Sequence, residues 1–323
     1  MMVPGNYTDK GKWAFGAGRI FVLFCFVVLL FSGTAHASYS VVLVLSSEAV
    51  PYRQAADALK DSLAEQGVYS RDYVLDGLTK LTPVFLNDVY KTKMWVAIGS
   101  RAASHLHTVL PDKTPLVYCM VADPEKIGLD PSQENVVGVS VTKPVKEQFA
   151  IIEKVIPNLH SIAMLYRSSS RKSLMTLIDV KEHLLADWTL EAIDVDKYES
   201  MADAIAELFQ RDVDMIWTMA DSSIYNRATV NSLLLSSLRQ QVPVFGFSGS
   251  FVKAGALLGL DADPVLQGEY AASLVVYGFD DNASNDKPVS SGVTIAVNMV
   301  VANRLGISLP DDIVQQASVI GAH

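Results

Sequence analysis

The feature that most constrains this chain is an alternation that begins at Val41 and runs almost to the end: short apolar runs rich in β-branched residues, each followed by a longer amphipathic stretch. Val41–Leu45 contains no polar residue, as a strand covered on both faces requires. Ala49 to Glu65 then spaces Ala55, Ala56, Leu59 and Leu63 along one face of a helix. Met94–Ile98 reads as the next strong strand, followed by a helix from Ala102, strands at Leu116–Val121 and Val136–Val141, and a helical stretch over 145–155. The series restarts at Ser161. Ile162–Tyr166 reads as a strand and Leu174–Leu185 as a helix, then a weaker strand Leu190–Val195 and a helix over Met201–Phe209. Met215–Met219 precedes a helix near Ala228–Leu238, and Val242–Phe247 and Ala256–Leu260 are further strands. Val265–Tyr277 is helical, Val293–Val297 is the last strand, and Val300–Leu305 opens the last helix.

Strands that alternate with helices are joined by crossovers and form mostly parallel sheets. Two such series, each of four or five strands, predict an α/β protein of two doubly wound, Rossmann-like parallel-sheet domains joined by a hinge. The break falls near Thr142-Lys143-Pro144, and 323 residues suit two domains of ordinary size.

The first 37 residues differ from the rest. Lys10, Lys12 and Arg19 precede an apolar run from Ile20 to Phe31, and Ala35-His36-Ala37 closes the segment. A basic start, a short apolar middle and an A-x-A end predict a secretory signal peptide cleaved after Ala37. Twelve residues at 1.5 Å rise cover about 18 Å, short of the roughly 30 Å of a bilayer core. Cys25 lies inside the apolar run, not at its small-residue end, so it is not read as a lipid-attachment cysteine. The expectation is therefore a soluble, exported, periplasmic protein.

Of 26 Lys+Arg and 35 Asp+Glu, removal of Lys10, Lys12, Arg19 and Asp9 leaves 23 against 34, or net −11. That balance argues against a nucleic-acid partner. Cys119 would be the only cysteine left, which excludes an intrachain disulfide.

In open parallel sheets ligands bind beyond the carboxyl ends of the strands. The strand-to-helix turns are therefore where function is sought. In the first half they hold Ser46, Ser47 and the nearby Tyr52; Gly99, Ser100 and Arg101; and Ala122 and Asp123. In the second half they hold Ser168, Ser169 and Ser170; Asp221; Phe247 and Ser248; and Asp261. Ser and Asp at these places have two readings. They cap helix N-termini wherever a helix lies, or they converge with helix N-termini on one cleft and suit a carboxylate or phosphate. Asp123, Asp221 and Asp261 would suit an ammonium group, so a zwitterion such as an amino acid fits the set. Tyr166 and Phe247 each close a strand before a polar turn, the place for an aromatic that stacks on a ligand. Arg167 either makes a charge-assisted contact to a carboxylate or faces solvent.

Enzyme chemistry does not emerge. The histidines at 105, 107, 160, 183 and 323 form no metal-ligand spacing, and no cofactor or metal is expected. Gly246-Phe247-Ser248-Gly249-Ser250 departs from a nucleophile elbow at its fifth position. Gly99-Ser100-Arg101-Ala102 lacks the second Gly and the Lys of a phosphate loop. Cys119, within an apolar strand, reads as an inert buried thiol.

Several stretches together resemble a known family. They are Ala97 to Ala103, Pro115 to Pro124, Asn135 to Ser140, Ile162 to Ser170, Val213 to Asp221, Val242 to Phe245, Phe251 to Gly268, Ile295 to Asn298, and Ala302 with Leu305-Gly306-Ile307. In that order they resemble the ABC-transporter substrate-binding proteins of the type that includes tryptophan and aromatic amino-acid binders, with the type I periplasmic binding fold. The resemblance implies hinged lobes crossed three times by the chain. The first would hold residues 38–142 with about 262–288, and the second 143–261 with about 289–323. It also implies small-molecule capture in the interdomain cleft by hinge closure, and delivery by a monomer to an ABC permease. A ligand-loaded sensor for a membrane receptor kinase or cyclase is the alternative. Many relatives carry Asn-Pro where this chain has Arg167-Ser168, and Asp-Asn where it has Asp221-Ser222, so the family's ligand does not carry over.

Overall fold

The computed structural model describes residues 1–2, 41–75, 92, 94–129, 133–277 and 291–321, and residues 39–323 form one compact unit. The leader expected over 1–37 lies outside the described residues but for Met1 and Met2, as do 278–288 of the expected return segment.

In chain order the first lobe holds β1 (Val41–Leu45), α1 (Val50–Glu65), β2 (Ser70–Val74), β3 (Met94–Ile98), α2 (Ser100–Val109), β4 (Leu116–Cys119) and β5 (Val136–Gly138). The sheet is parallel throughout, in the order β2-β1-β3-β4-β5. The period of two explains its double cover. Val41, Leu43 and Leu45 point to the core beneath α1, while Val42 and Val44 point to the core beneath α2. In α1, Pro51 starts the helix, and Ala55, Ala56, Leu59 and Leu63 are wholly buried. Burying each leucine contributes about 1.5–3 kcal/mol.

The second lobe begins with α3 (Val145–Val155), whose buried positions Val145, Gln148, Phe149, Ile152 and Val155 keep a helical period. It continues with β6 (Ser161–Tyr166), α4 (Arg171–His183), β7 (Thr189–Asp194), α5 (Met201–Leu208), β8 (Met215–Trp217), α6 (Arg227–Gln240), β9 (Val244–Gly246), α7 (Gly249–Ala254) and β10 (Leu258–Ala262). Next come α8 (Pro264–Tyr277), β11 (Val293–Asn298), α9 (Met299–Leu305), α10 (Asp311–Gln316) and β12 (Ala317–Ile320). The sheet order is β12-β11-β10-β9-β8-β6-β7, so this sheet has seven strands where four or five were expected.

Helix α8 does not cover the sheet that precedes it. It lies along α1 of the first lobe, close enough that a Cβ at Gly268 would meet the Ala55 carbonyl oxygen at 2.2 Å. Just before β11, Ser291 bridges Ser140 and the Gly292 carbonyl accepts from Gln267 of α8. Strand β11 enters opposite the end of β10, Val293 beside Ala262, and runs antiparallel to it. The fold remains α/β and parallel-dominated. Among the described strands this one pair departs from it because the connecting helix packs elsewhere. Among the described residues no helix is long and apolar enough to cross a membrane.

Candidate functional site

Between the lobes lies a cleft of about 540 Å³. The first lobe supplies Met120 and Ala122 from the turn after β4, together with Ser140, Val141 and Thr142 from the crossing segment. The second lobe supplies Trp217 to Ala220 after β8, Phe247 and Ser248 after β9, and Leu260 to Ala262 at the end of β10. Lys172, Thr176 and Asp179 of α4 close one side. The polar groups are few and the walls mainly apolar, as in small-molecule sites.

The aromatic side chains are held from behind. Trp217 is 2% exposed, and its Nε1 donates to Gln148 Oε1 at 3.0 Å. Gln148 Nε2 in turn donates to the Lys143 carbonyl at 2.6 Å, so the indole is tied to the crossing segment. Phe247 packs with Phe251 at 5.1 Å and Tyr225 at 5.9 Å between ring centroids. Ser248 caps α7 through the Phe251 N–H and bonds Ser250 Oγ at 2.9 Å.

The charged groups of the cleft differ in partnership. Lys143 pairs with Glu147 at 3.1 Å, Lys172 with Asp123 at 2.9 Å, and Asp179 with His183 at 2.9 Å. Asp261 lies against Gly249, where a Cβ would meet its Oδ2 at 2.2 Å. Its carboxylate takes no hydrogen bond or ion pair among the described residues.

Of the residues singled out from sequence, Ala122, Phe247, Ser248 and Asp261 line this cavity. The first-lobe turns are occupied with local packing. Ser46 Oγ accepts from the Ala102 N–H at 3.0 Å, and Ser47 Oγ accepts from the Ala49 N–H at 3.3 Å. Gly99 has φ of 91°, and a Cβ there would run into Ser46 Oγ and the Tyr52 ring. Tyr52 packs on the α1 side of the core, Ser100 opens α2, and Arg101 is exposed. Asp123 stands at the rim, paired with Lys172.

The serine-rich turn after β6 is folded onto the acids at the end of β7. Ser168 N–H donates to Asp194 Oδ1 at 3.1 Å, Ser169 N–H to Asp196 Oδ2 at 2.8 Å, and Ser170 caps α4 through the Ser173 N–H. The Ser169 backbone and hydroxyl, with help from Arg167, hold the Asp196 carboxyl below the usual carboxylate range. Arg167 bonds Asp196 and Ser223. Burial, then Asp194, pushes the Tyr166 hydroxyl up. Asp221 Oδ1 accepts from Ser223 N–H and Oγ, while its Oδ2 is buried without a partner. The capping reading thus accounts for Ser170 and Ser248, while Ser46 and Ser47 bond the backbone N–H groups of Ala102 and Ala49 from outside the N-cap positions.

Met120, Trp217, Lys172 and Asp179 were not among the residues picked from sequence. A signal existed for Trp217, an aromatic shortly before a polar turn, the same signal that marked Phe247. Extending the strand to Met219 hid it, because β8 stops at Trp217.

Residues 81–320 match the family model for "ABC transporter substrate binding protein". The chain belongs to that family. The two parallel-dominated sheets are thus those of a substrate-binding protein, and the family is one of solute binders. No curated protein matches the sequence. Among solved structures, the substrate-binding fold is shared with an ABC domain in complex with L-Trp from Streptococcus pneumoniae, at 21% identity over 87% of this chain and 100% of that one, TM-score 0.51. A conserved domain protein from Vibrio cholerae matches at 21% identity over 87% and 99%, TM-score 0.51. The ligand-free, open structure of a substrate binding protein with adhesive properties from Clostridium difficile matches at 17% identity over 88% and 99%, TM-score 0.65. At these identities the likeness is one of fold.

Proposed function

We propose that this substrate-binding protein captures an amino acid, or a small molecule of the same chemistry, between its lobes and delivers it to an ABC permease. The observation that carries the reading is Asp261, a carboxylate with no partner in an otherwise apolar cleft whose other charged side chains are paired. A ligand ammonium would supply the missing charge, and an apolar side chain would lie between Phe247 and Trp217. The ligand carboxylate would turn to the Ser248 hydroxyl and to Lys172, after exchange of the Asp123 pair. Ligand that touches both lobes favours the closed form only by its extra affinity for that form. In this reading the lobes are residues 38–142 with 262–288 and 143–261 with 289–323. The chain is exported after cleavage at Ala37, acts as a monomer, and needs neither metal nor cofactor.

A thermal-shift screen of the amino acids tests this, with L-tryptophan as the first probe because a structural relative holds it. A ligand at 100 times its dissociation constant adds about 2.7 kcal/mol. The reading requires at least one amino acid to raise the unfolding temperature saturably. Stabilisation only by ligands without an ammonium group would overturn it.

A further inference from the structure

Gln267, in the first turn of α8, is wholly buried and makes three hydrogen bonds. Its Oε1 accepts from the Met120 N–H at 2.7 Å. Its Nε2 donates to the Ser140 carbonyl at 2.8 Å and the Gly292 carbonyl at 3.0 Å. Ser140 and Gly292 stand at the points where the chain passes between lobes. Ser140 bridges Ser291 in parallel. Asp263 N–H also donates to the Gly292 carbonyl, at 3.1 Å, and its own carbonyl accepts from Gln267 N–H at 2.8 Å. Gly292 has no room for a side chain, since a Cβ would meet Gln267 Nε2 at 2.8 Å.

The remaining partner of the amide, Met120, lies in the cleft. Met120 lines it and has φ of 57°, a left-handed conformation unfavourable for a side chain that large. Such a conformation persists only where its surroundings enforce it. Here the enforcing group is the Gln267 amide. An N–H faces one end of that amide and two carbonyls face the other, so glutamine alone among side chains of this length satisfies all three.

We propose that Gln267 is a positioning residue of the binding cleft. Its amide locks Met120 in the cleft wall to the chain crossings at Ser140 and Gly292, and through the Gly292 carbonyl to that at Asp263, so that movement of the wall on ligand contact and rotation at the hinge occur together. The proposal rests on the interlobe cleft being the binding site, but its test needs no ligand, so failure to find an amino-acid ligand leaves the result standing.

The test is amide hydrogen exchange on the full chain, with Gln267→Met and Gln267→Glu. Met matches the length and removes every side-chain bond. Glu keeps an acceptor for Met120 and sets an oxygen against the two carbonyls. For Gln267→Met the Met120 amide should exchange at least tenfold faster, with amides of β6 unchanged. For Gln267→Glu the Met120 amide should stay protected while those of Asp263 and Val293 exchange faster. A folded Gln267→Met variant with Met120 protected as in the parent overturns the proposal. Should that variant fail to fold, Gln267→Glu decides: parental exchange at Asp263 and Val293 overturns it.

Discussion

Lys172 of α4 and Asp123 after β4 form an ion pair of 2.9 Å that joins the second lobe to the first at the rim of the cleft. Lys126 Nζ donates to Ser222 Oγ at 3.3 Å beside it. The pair's side chains are 38% and 34% exposed, so it contributes only about 0.2–1 kcal/mol and is weakened by salt. Lys172→Met should therefore hardly move the unfolding temperature but should broaden the interlobe separation seen by small-angle X-ray scattering. Raising the salt to about 1 M, where the screening length is about 3 Å, should bring the parent toward the variant. Identical scattering in all three cases would remove this pair from any role in holding the lobes.

Phe149 is wholly buried, with its ring 5.4 Å from Trp188 and 6.3 Å from Trp217. Phe149→Ala should cost about 3–5 kcal/mol. Denaturant unfolding followed by tryptophan fluorescence measures this, and a cost below about 1 kcal/mol would mean that the second-lobe core is not packed as described.

Gly268→Val should separate α8 from α1, since the Ala55 backbone leaves no space for a side chain. Overpacking of this kind costs about 1–3 kcal/mol or more. Circular dichroism melts should show a lower midpoint. An unchanged melt would contradict the placement of α8 on the first lobe.

Burial pushes the Cys119 thiol up to about 12, from an ordinary value near 9. The unfolded chain ionises first as pH rises, so this group's contribution to stability is intact below about pH 9 and lost progressively toward 12. At pH 8 the native Cys119 should resist alkylation and should react once the chain is unfolded in denaturant, read by peptide mass spectrometry. Rapid native labelling would place the thiol at the surface.

Much of this arrangement was legible in the sequence because burial leaves a pattern. Val41–Leu45, covered on both faces, reads as an unbroken apolar run, and Ala55 to Leu63 mark the face that α1 buries. Ala122, Phe247, Ser248 and Asp261, picked by the strand-end rule, line the cleft, since strand direction alone brings carboxyl ends there. The rule also gathered Ser170, because a cap and a ligand contact use the same residue types, and Ser46 and Ser47, whose hydroxyls hold backbone N–H groups of the first lobe. β2 was harder to see, since Ser70–Val74 is only half-buried and carries no apolar run. The direction of β11 depends on where α8 docks, which no local pattern records. Lys172 and Asp179 reach the cleft from a helix, and only the packing of one lobe against the other brings them there.

In the proposed function an ammonium-bearing ligand sits between the lobes on Asp261. Isothermal titration of the parent and of Asp261→Asn with an amino acid that stabilises the parent tests it most directly. One-to-one binding that weakens at least tenfold in Asp261→Asn, with the free variant melting like the parent, is the predicted result. Equal affinity in the two proteins would contradict it.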